Sequence, residues 1–166
     1  MLQAACDGGN FMGQVLEGVR VLELAQGVAG PYCGKIFADF GAEVVKVELP
    51  GVGDVSRSFG PFPDGATDPE QSAAFLHLNT NKRSITADLS TPDDADLVRR
   101  LAARSDIVIE SYSPGKLDAW GLGFDALRAA QPKIVLTSVT PFGQSGPYAA
   151  YKGEEIVAYA MGGPMH

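Results

Sequence analysis

The stretch Leu16 to Glu48, LEGVRVLELAQGVAGPYCGKIFADFGAEVVKVE, constrains the fold more than any other part of the chain. Val19, Val21, Leu22 and Leu24 make an apolar run of strand length. A loop from Ala25 to Gly30 follows, with glycine at 27 and 30, and Pro31 then opens a helical stretch. Proline costs nothing there, because the first-turn N–H groups of a helix have no intrahelical partner. Ile36, Phe37 and Phe40 are expected to form the apolar face of this helix, and Gly41 to end it. Glu43 to Glu48, rich in β-branched residues, reads as a second strand. Strand, glycine loop, helix and strand in about thirty residues make a βαβ unit, whose two strands run parallel.

The alternation continues downstream. Ile85 to Leu89 is the third strand candidate, Asp106 to Glu110 the fourth and Lys133 to Val139 the fifth. Between them Thr91-Pro92-Asp93-Asp94 is a helix start, with a hydroxyl cap, an early proline and carboxylates at the positive end of the dipole. Leu97, Leu101 and Ala102 are expected to face the core from that helix. Short helices are predicted over Lys116 to Trp120 and Phe124 to Ala130, and a last one from near Gly153 to Met161. The pattern predicts an α/β domain: a Rossmann-like, doubly wound, mostly parallel sheet whose ligands lie beyond the carboxyl ends of the strands. Leu49 to Gln71 is long for a connection and reads as a surface excursion. Residues 1–15 read as a disordered leader. Residues 16–166 read as the incomplete, apparently truncated part of a larger domain, since the chain stops after a helix with no returning strand.

Charge and composition narrow the partners. The net charge of −7 gives no electrostatic footprint for nucleic acid or an anionic membrane. No apolar run approaches the ~20 residues that span a bilayer. The first fourteen residues lack the basic start and apolar core of a signal peptide, and Cys6 and Cys33 suit free thiols in a reducing compartment, so a cytoplasmic protein is expected. No metal-ligand spacing, P-loop or nucleophile–histidine set is visible. Gly27-x-x-Gly30 resembles half of a dinucleotide-binding loop, and Glu48 closes the second strand where a ribose-binding acid would sit. Ala29, however, occupies the place of the middle glycine, so a tight strand-to-helix turn is the better reading. His77 suits a packed position, and the adjacent Glu154 and Glu155 point to different sides of a helix start.

Four blocks taken together carry more. LEGVRVLELAQGVAGPYCGKIFADFGAEVVKVELPGVGD, LNTNKRSITADL, DIVIESYSPGKLDAWGLGFDAL and KIVLTSVTPFGQSGPYAAY closely resemble, in order and spacing, the N-terminal part of the family III CoA-transferases. The resemblance implies an enzyme that moves CoA between an acyl-CoA thioester and a carboxylic acid, through an aspartyl intermediate. It implies acyl-CoA and carboxylic acid substrates, no metal, and an interlocked homodimer.

Carried across residue by residue, Val28 and Ala29 fall at CoA-contacting positions, as do Ala87, Asp88, Leu89 and Ser90. Ser111, Tyr112 and Ser113 follow, with Tyr112 placed to stack on adenine, and then Thr140, Pro141, Phe142 and Gly143. Leu49, Ser90, Ala119 and Thr140 each replace a basic residue of formyl-CoA transferase, so that enzyme's substrate specificity is not carried over. Lys82 and Arg83 belong to a family signature and are read as braces for the sheet. The nucleophilic aspartate is expected beyond residue 166, so no residue of this chain is assigned that role. Two alternatives stay open: an acyl-CoA racemase-type enzyme, disfavoured because Glu154 stands where those relatives have a histidine, and a catalytically inactive CoA-binding fragment.

Overall fold

The computed structural model describes residues 14–65 and 67–163. Five parallel strands form one sheet in the order β3-β2-β1-β4-β5. In chain order the elements begin with β1 (Arg20–Leu24), α1 (Ala29–Asp39) and β2 (Glu43–Glu48). Three single-turn 3-10 segments then lead to α2 (Ala73–Leu78) and β3 (Arg83–Thr86). After these come α3 (Pro92–Ala102), β4 (Ile107–Glu110), α4 (Lys116–Ala119), α5 (Phe124–Ala130), β5 (Val135–Ser138) and α6 (Glu155–Met161). The strand order reverses between β1 and β4, which is the switch point of a doubly wound sheet. Because every strand is parallel, all the loops that leave carboxyl ends lie along one edge. Residues 1–13, most of the stretch read as a leader, lie outside the described residues, as does His166; Gln14 and Val15 already belong to a turn packed on Phe40 and Gly41.

The sheet is covered on both faces, as parallel sheets are. On one face Leu22, Leu24, Val47 and Val108 pack against Val98 of α3, Leu117 of α4 and Leu127 of α5. On the other, Val21, Val44 and Ile109 meet Ala38 of α1. Thr91 caps α3 as expected, its hydroxyl accepting from the Asp94 N–H. The residues that α3 buries are Ala95, Val98 and Ala102, with Leu97 and Leu101 only half-buried.

The structure corrects the expected face of α1. Its buried residues are Gly30, Pro31, Gly34 and Ala38, while Tyr32 and Ile36 are exposed, as are Val28 before it and Phe40 after it. The reason is distance. A Cβ at position 30 would overlap the Ala25 side chain, and one at position 34 would overlap the Glu23 carboxylate. The helix lies so close to the sheet that only small residues fit directly between; of the expected face, Phe37 packs partly against the core, while Ile36 and Phe40 point outward. Strand bounds shift too. The third strand begins at Arg83 rather than Ile85, pairing Val45 with Arg83 and Glu48 with Thr86. Hydropathy misses it because this is an edge strand, mostly exposed, on which Arg83 pairs with Glu43 at 2.8 Å. The fifth strand, at the other edge, shrinks to Val135–Ser138 for the same reason.

Two substitutions test the inverted helix. Gly34→Ala must displace the Glu23 carboxylate and is expected to cost about 1–3 kcal/mol, as overpacking does. Tyr32→Ala, on the outward face, is expected to change stability by less than about 0.5 kcal/mol. Urea midpoints at constant slope measure both.

Candidate functional site

The long excursion after β2 folds back under the β1–α1 loop rather than standing off the surface. Asp54, at the start of its first 3-10 turn, is 2% exposed. Its Oδ1 accepts from the N–H and hydroxyl of Ser56 at 2.8 and 2.7 Å and from the Gly27 N–H at 3.1 Å. Ser72, also fully buried, ties the far end of the excursion down by donating its hydroxyl to the Ser56 and Phe59 carbonyls.

Beneath this loop lies a buried charge cluster on the α1 face of the sheet. Lys46 and Glu23 are register partners on β2 and β1, joined at 2.9 Å. Lys46 Nζ also donates to the Ala25 carbonyl at 2.9 Å and stands 2.6 Å from Asp54 Oδ2, an ion pair outside hydrogen-bond angles. Lys82 reaches the second Glu23 oxygen at 2.8 Å and donates to the Pro31 carbonyl and Asn79 Oδ1. Two cations and two carboxylates thus balance out of water. Burial alone would raise the Asp54 pKa, but Lys46 and the Ser56 donors outweigh it and hold the carboxyl below its ordinary value. For Lys82 burial dominates and lowers the pKa, with Glu23 opposing. Lys82 braces α1 against the sheet, as the sequence suggested.

Glu48, the residue at a ribose-binding position, is spent internally. Arg57 holds it through two N–H groups at 2.7 and 3.1 Å, while the Ser84 hydroxyl and the Asp54 N–H donate to it as well. Arg57 in turn meets Glu70 and lies 3.6 Å from the Phe75 ring centre. A cleft of about 420 Å³ opens beside this group, with Leu49 on its lip. Its one cation is already paired twice.

At the switch point, the Gln26 N–H donates to the Ser111 hydroxyl at 2.9 Å and links the β1 and β4 loops. Glu110, 2% exposed, shapes the second loop by accepting from the Tyr112 N–H and from Gln144. The Tyr112 ring packs edge-on against Trp120 at 5.0 Å. Burial, and then the neighbouring Glu110 carboxylate, raise its phenol above the ordinary pKa. A cleft of about 440 Å³ adjoins Tyr112, lined by Ser111–Pro114, Thr140, Pro141 and Ala149–Glu154.

The expected site residues therefore share one edge. Ser111, Tyr112, Ser113, Thr140 and Pro141 line the Tyr112 cleft. Phe142 stands next to it in a cluster with Tyr148 and Tyr151, and exposed Gly143 follows. Val28 and Ala29 are exposed at the start of α1, on the same edge of the sheet. Val28 offers no side-chain cap, which leaves the first N–H groups of α1 without a capping side chain. Ala87 and Leu89 are core residues, and Asp88 is occupied by the Ser90 N–H and hydroxyl. The exposed part of that run is backbone, Ser90 and the second Asp88 oxygen. Sequence reasoning passed over Lys152, the cation in the lining of the Tyr112 cleft; its only signal was its place just before α6.

A family model for CoA-transferase family III matches residues 16–166. The chain belongs to that family. Over 152 residues it is 46% identical to a succinate–glutarate CoA-transferase of Agrobacterium fabrum, covering 90% of this chain and 38% of that protein. It is 42% identical to the human succinyl-CoA:glutarate CoA-transferase over 151 residues, 91% of this chain and 34% of that one. A solved CaiB/BaiF family protein from Brucella suis superposes with a TM-score of 0.82 at 42% identity, over 92% of this chain and 40% of that chain. The chain thus spans well under half the length of the relatives it matches. Among the described residues no group of acidic, histidine and cysteine side chains is arranged to hold a metal ion.

The Glu48 cluster generates a pH prediction. Burial works against its ionised form, but Arg57, Ser84 and the Asp54 N–H prevail and bring the pKa from 4.5 down to about 2. A carboxyl depressed on folding adds stability that is complete above its unfolded pKa and is lost as pH falls through the folded one. Stability is therefore expected to fall between about pH 4.5 and pH 2. Glu48→Gln should flatten that part of a urea-midpoint profile while lowering stability at neutral pH.

Proposed function

We propose that this chain is the N-terminal part of an enzyme that transfers CoA from an acyl-CoA thioester to a carboxylic acid. The observation that carries the reading is the family match together with the edge it lands on. The matched loops after β1, β3, β4 and β5 all leave carboxyl ends of one parallel sheet, where such folds bind ligands. The relatives' names support succinyl-CoA as donor and a short dicarboxylate as acceptor. Tyr112 offers a ring at the cleft, and Lys152 a charge for a phosphate in place of the missing basic residues.

In the proposed reaction an aspartate outside these 166 residues attacks the thioester carbonyl, forming a mixed anhydride and expelling the CoA thiolate. The thiolate then attacks the aspartyl carbonyl, giving an enzyme thioester and freeing the donor's carboxylate. The acceptor carboxylate attacks that thioester, forming a new mixed anhydride and expelling the CoA thiolate, which then attacks the acceptor's acyl carbonyl and releases the new acyl-CoA and the free aspartate. Splitting one exchange into covalent steps is the advantage, since a carboxylate is a weak nucleophile. The uncapped N–H groups of α1 are available to a developing oxyanion. The buried carboxylates support an external nucleophile: Glu23, Glu48, Asp54 and Glu110 all accept from protein groups already. Glu154, on the cleft, stands in place of the racemase histidine, which favours transfer over racemisation.

The reading extends to an interlocked homodimer in the whole protein. Its support is apolar surface without a partner among the described residues: Tyr32, Ile36 and Phe40 at α1, and Ile156, Tyr159 and Met161 on α6.

With succinyl-CoA and glutarate, residues 1–166 alone are expected to show no exchange above background, while the whole protein turns over. Clear turnover by the 166-residue chain would make Glu154 the candidate nucleophile. Lys152→Ala is expected to weaken CoA binding about threefold to tenfold and to reduce its salt dependence, as loss of an exposed phosphate contact does. Calorimetric titration at two ionic strengths measures both.

A further inference from the structure

Three successive residues of the β1–α1 loop are each held through the backbone by a side chain from elsewhere. Lys46 of β2 takes the Ala25 carbonyl, Ser111 of the β4 loop takes the Gln26 N–H, and Asp54 of the long excursion takes the Gly27 N–H. Gly27 has φ of +80°, a conformation other residues rarely adopt, and it sets the direction in which the chain enters Val28 and Ala29. The Asp54 anchor is deeply built: its carboxylate is 2% exposed, and Ser56 and Lys46 hold its two oxygens. Besides pairing with Lys46, this carboxylate accepts from the Gly27 N–H, directly before the exposed Val28 and Ala29.

We propose that Asp54, with Lys46 behind it, is a positioning residue for CoA: it fixes the Gly27 amide and so pre-forms the Val28–Ala29 edge on which the thioester end of CoA binds. The inference rests on the reading of this sheet edge as the CoA site. Its physical content is preorganisation: a loop already in the bound conformation does not lose freedom on binding. The long excursion after β2 then has a defined task, to deliver one carboxylate beneath a loop formed more than twenty residues earlier.

The test compares the whole protein with two of its variants. Asp54→Asn keeps an oxygen for Gly27 but removes the charge that Lys46 holds. Lys46→Met/Asp54→Leu replaces the pair by apolar side chains and leaves Glu23 with Lys82, an exchange that buried pairs often tolerate. CoA affinity is read by calorimetry, and amide hydrogen exchange is followed at Gly27 and, as a gauge of the global fold, at Val108. With Val108 protection retained, the double variant is expected to exchange Gly27 faster and to lose CoA affinity about tenfold, and Asp54→Asn about threefold. Faster exchange at Gly27 with unchanged CoA affinity, in either folded variant, overturns the inference and leaves the CoA site standing. A whole protein that protects Gly27 yet binds no CoA overturns the site reading, and this inference with it.

Discussion

The structure depends on a lysine buried in the middle of a parallel strand. Lys46 is 1% exposed, between Val45 and Val47 on β2, and a lone ammonium there would be prohibitively costly. It is tolerated because Glu23 lies beside it in register, Asp54 is brought over it and the Ala25 carbonyl points at it. Lys82 then balances the second carboxylate. Buried ion pairs are poor stabilisers compared with apolar packing, but breaking one is expensive. The consequence is geometric. β1, β2, the β1–α1 loop, the excursion after β2 and the turn before β3 each supply a partner to the cluster.

That constraint explains features that look unrelated. Helix α1 carries glycine at 34 because the Glu23 carboxylate occupies the space a side chain would need. The long excursion is anchored at Asp54, Ser56 and Ser72, all buried, although the 3-10 turns around them are short. Glu48, on the same strand as Lys46, is drawn into a second cluster with Arg57 and Ser84, and so is not available to a ribose. The acids and bases that a motif search would promote as ligands are, in this fold, mostly each other's partners.

The edge where the loops after β1, β4 and β5 gather is by contrast lightly charged. Around Tyr112 the cleft is lined by hydroxyls, backbone, aromatic surface, Lys152 and Glu154. The charge cluster sits below this edge and holds the loops in place.

The alternation of strands and helices, the parallel sheet and the family were legible from the sequence alone. β-Branched runs, the Thr91-Pro92 helix start and the four motif blocks are local signals, and local signals survive in one dimension. Strand ends were less legible at the edges, where Arg83 and Lys133 face water and hydropathy loses its contrast. Only the tertiary structure decided which face of α1 is buried, because that depends on how closely the helix approaches Glu23. It alone decided that Asp54 lies under Gly27, that Glu48 belongs to Arg57, and that Ser111 ties the β4 loop to Gln26. Each of these depends on a distance between segments far apart in the chain, and a pattern of residue types does not encode such distances.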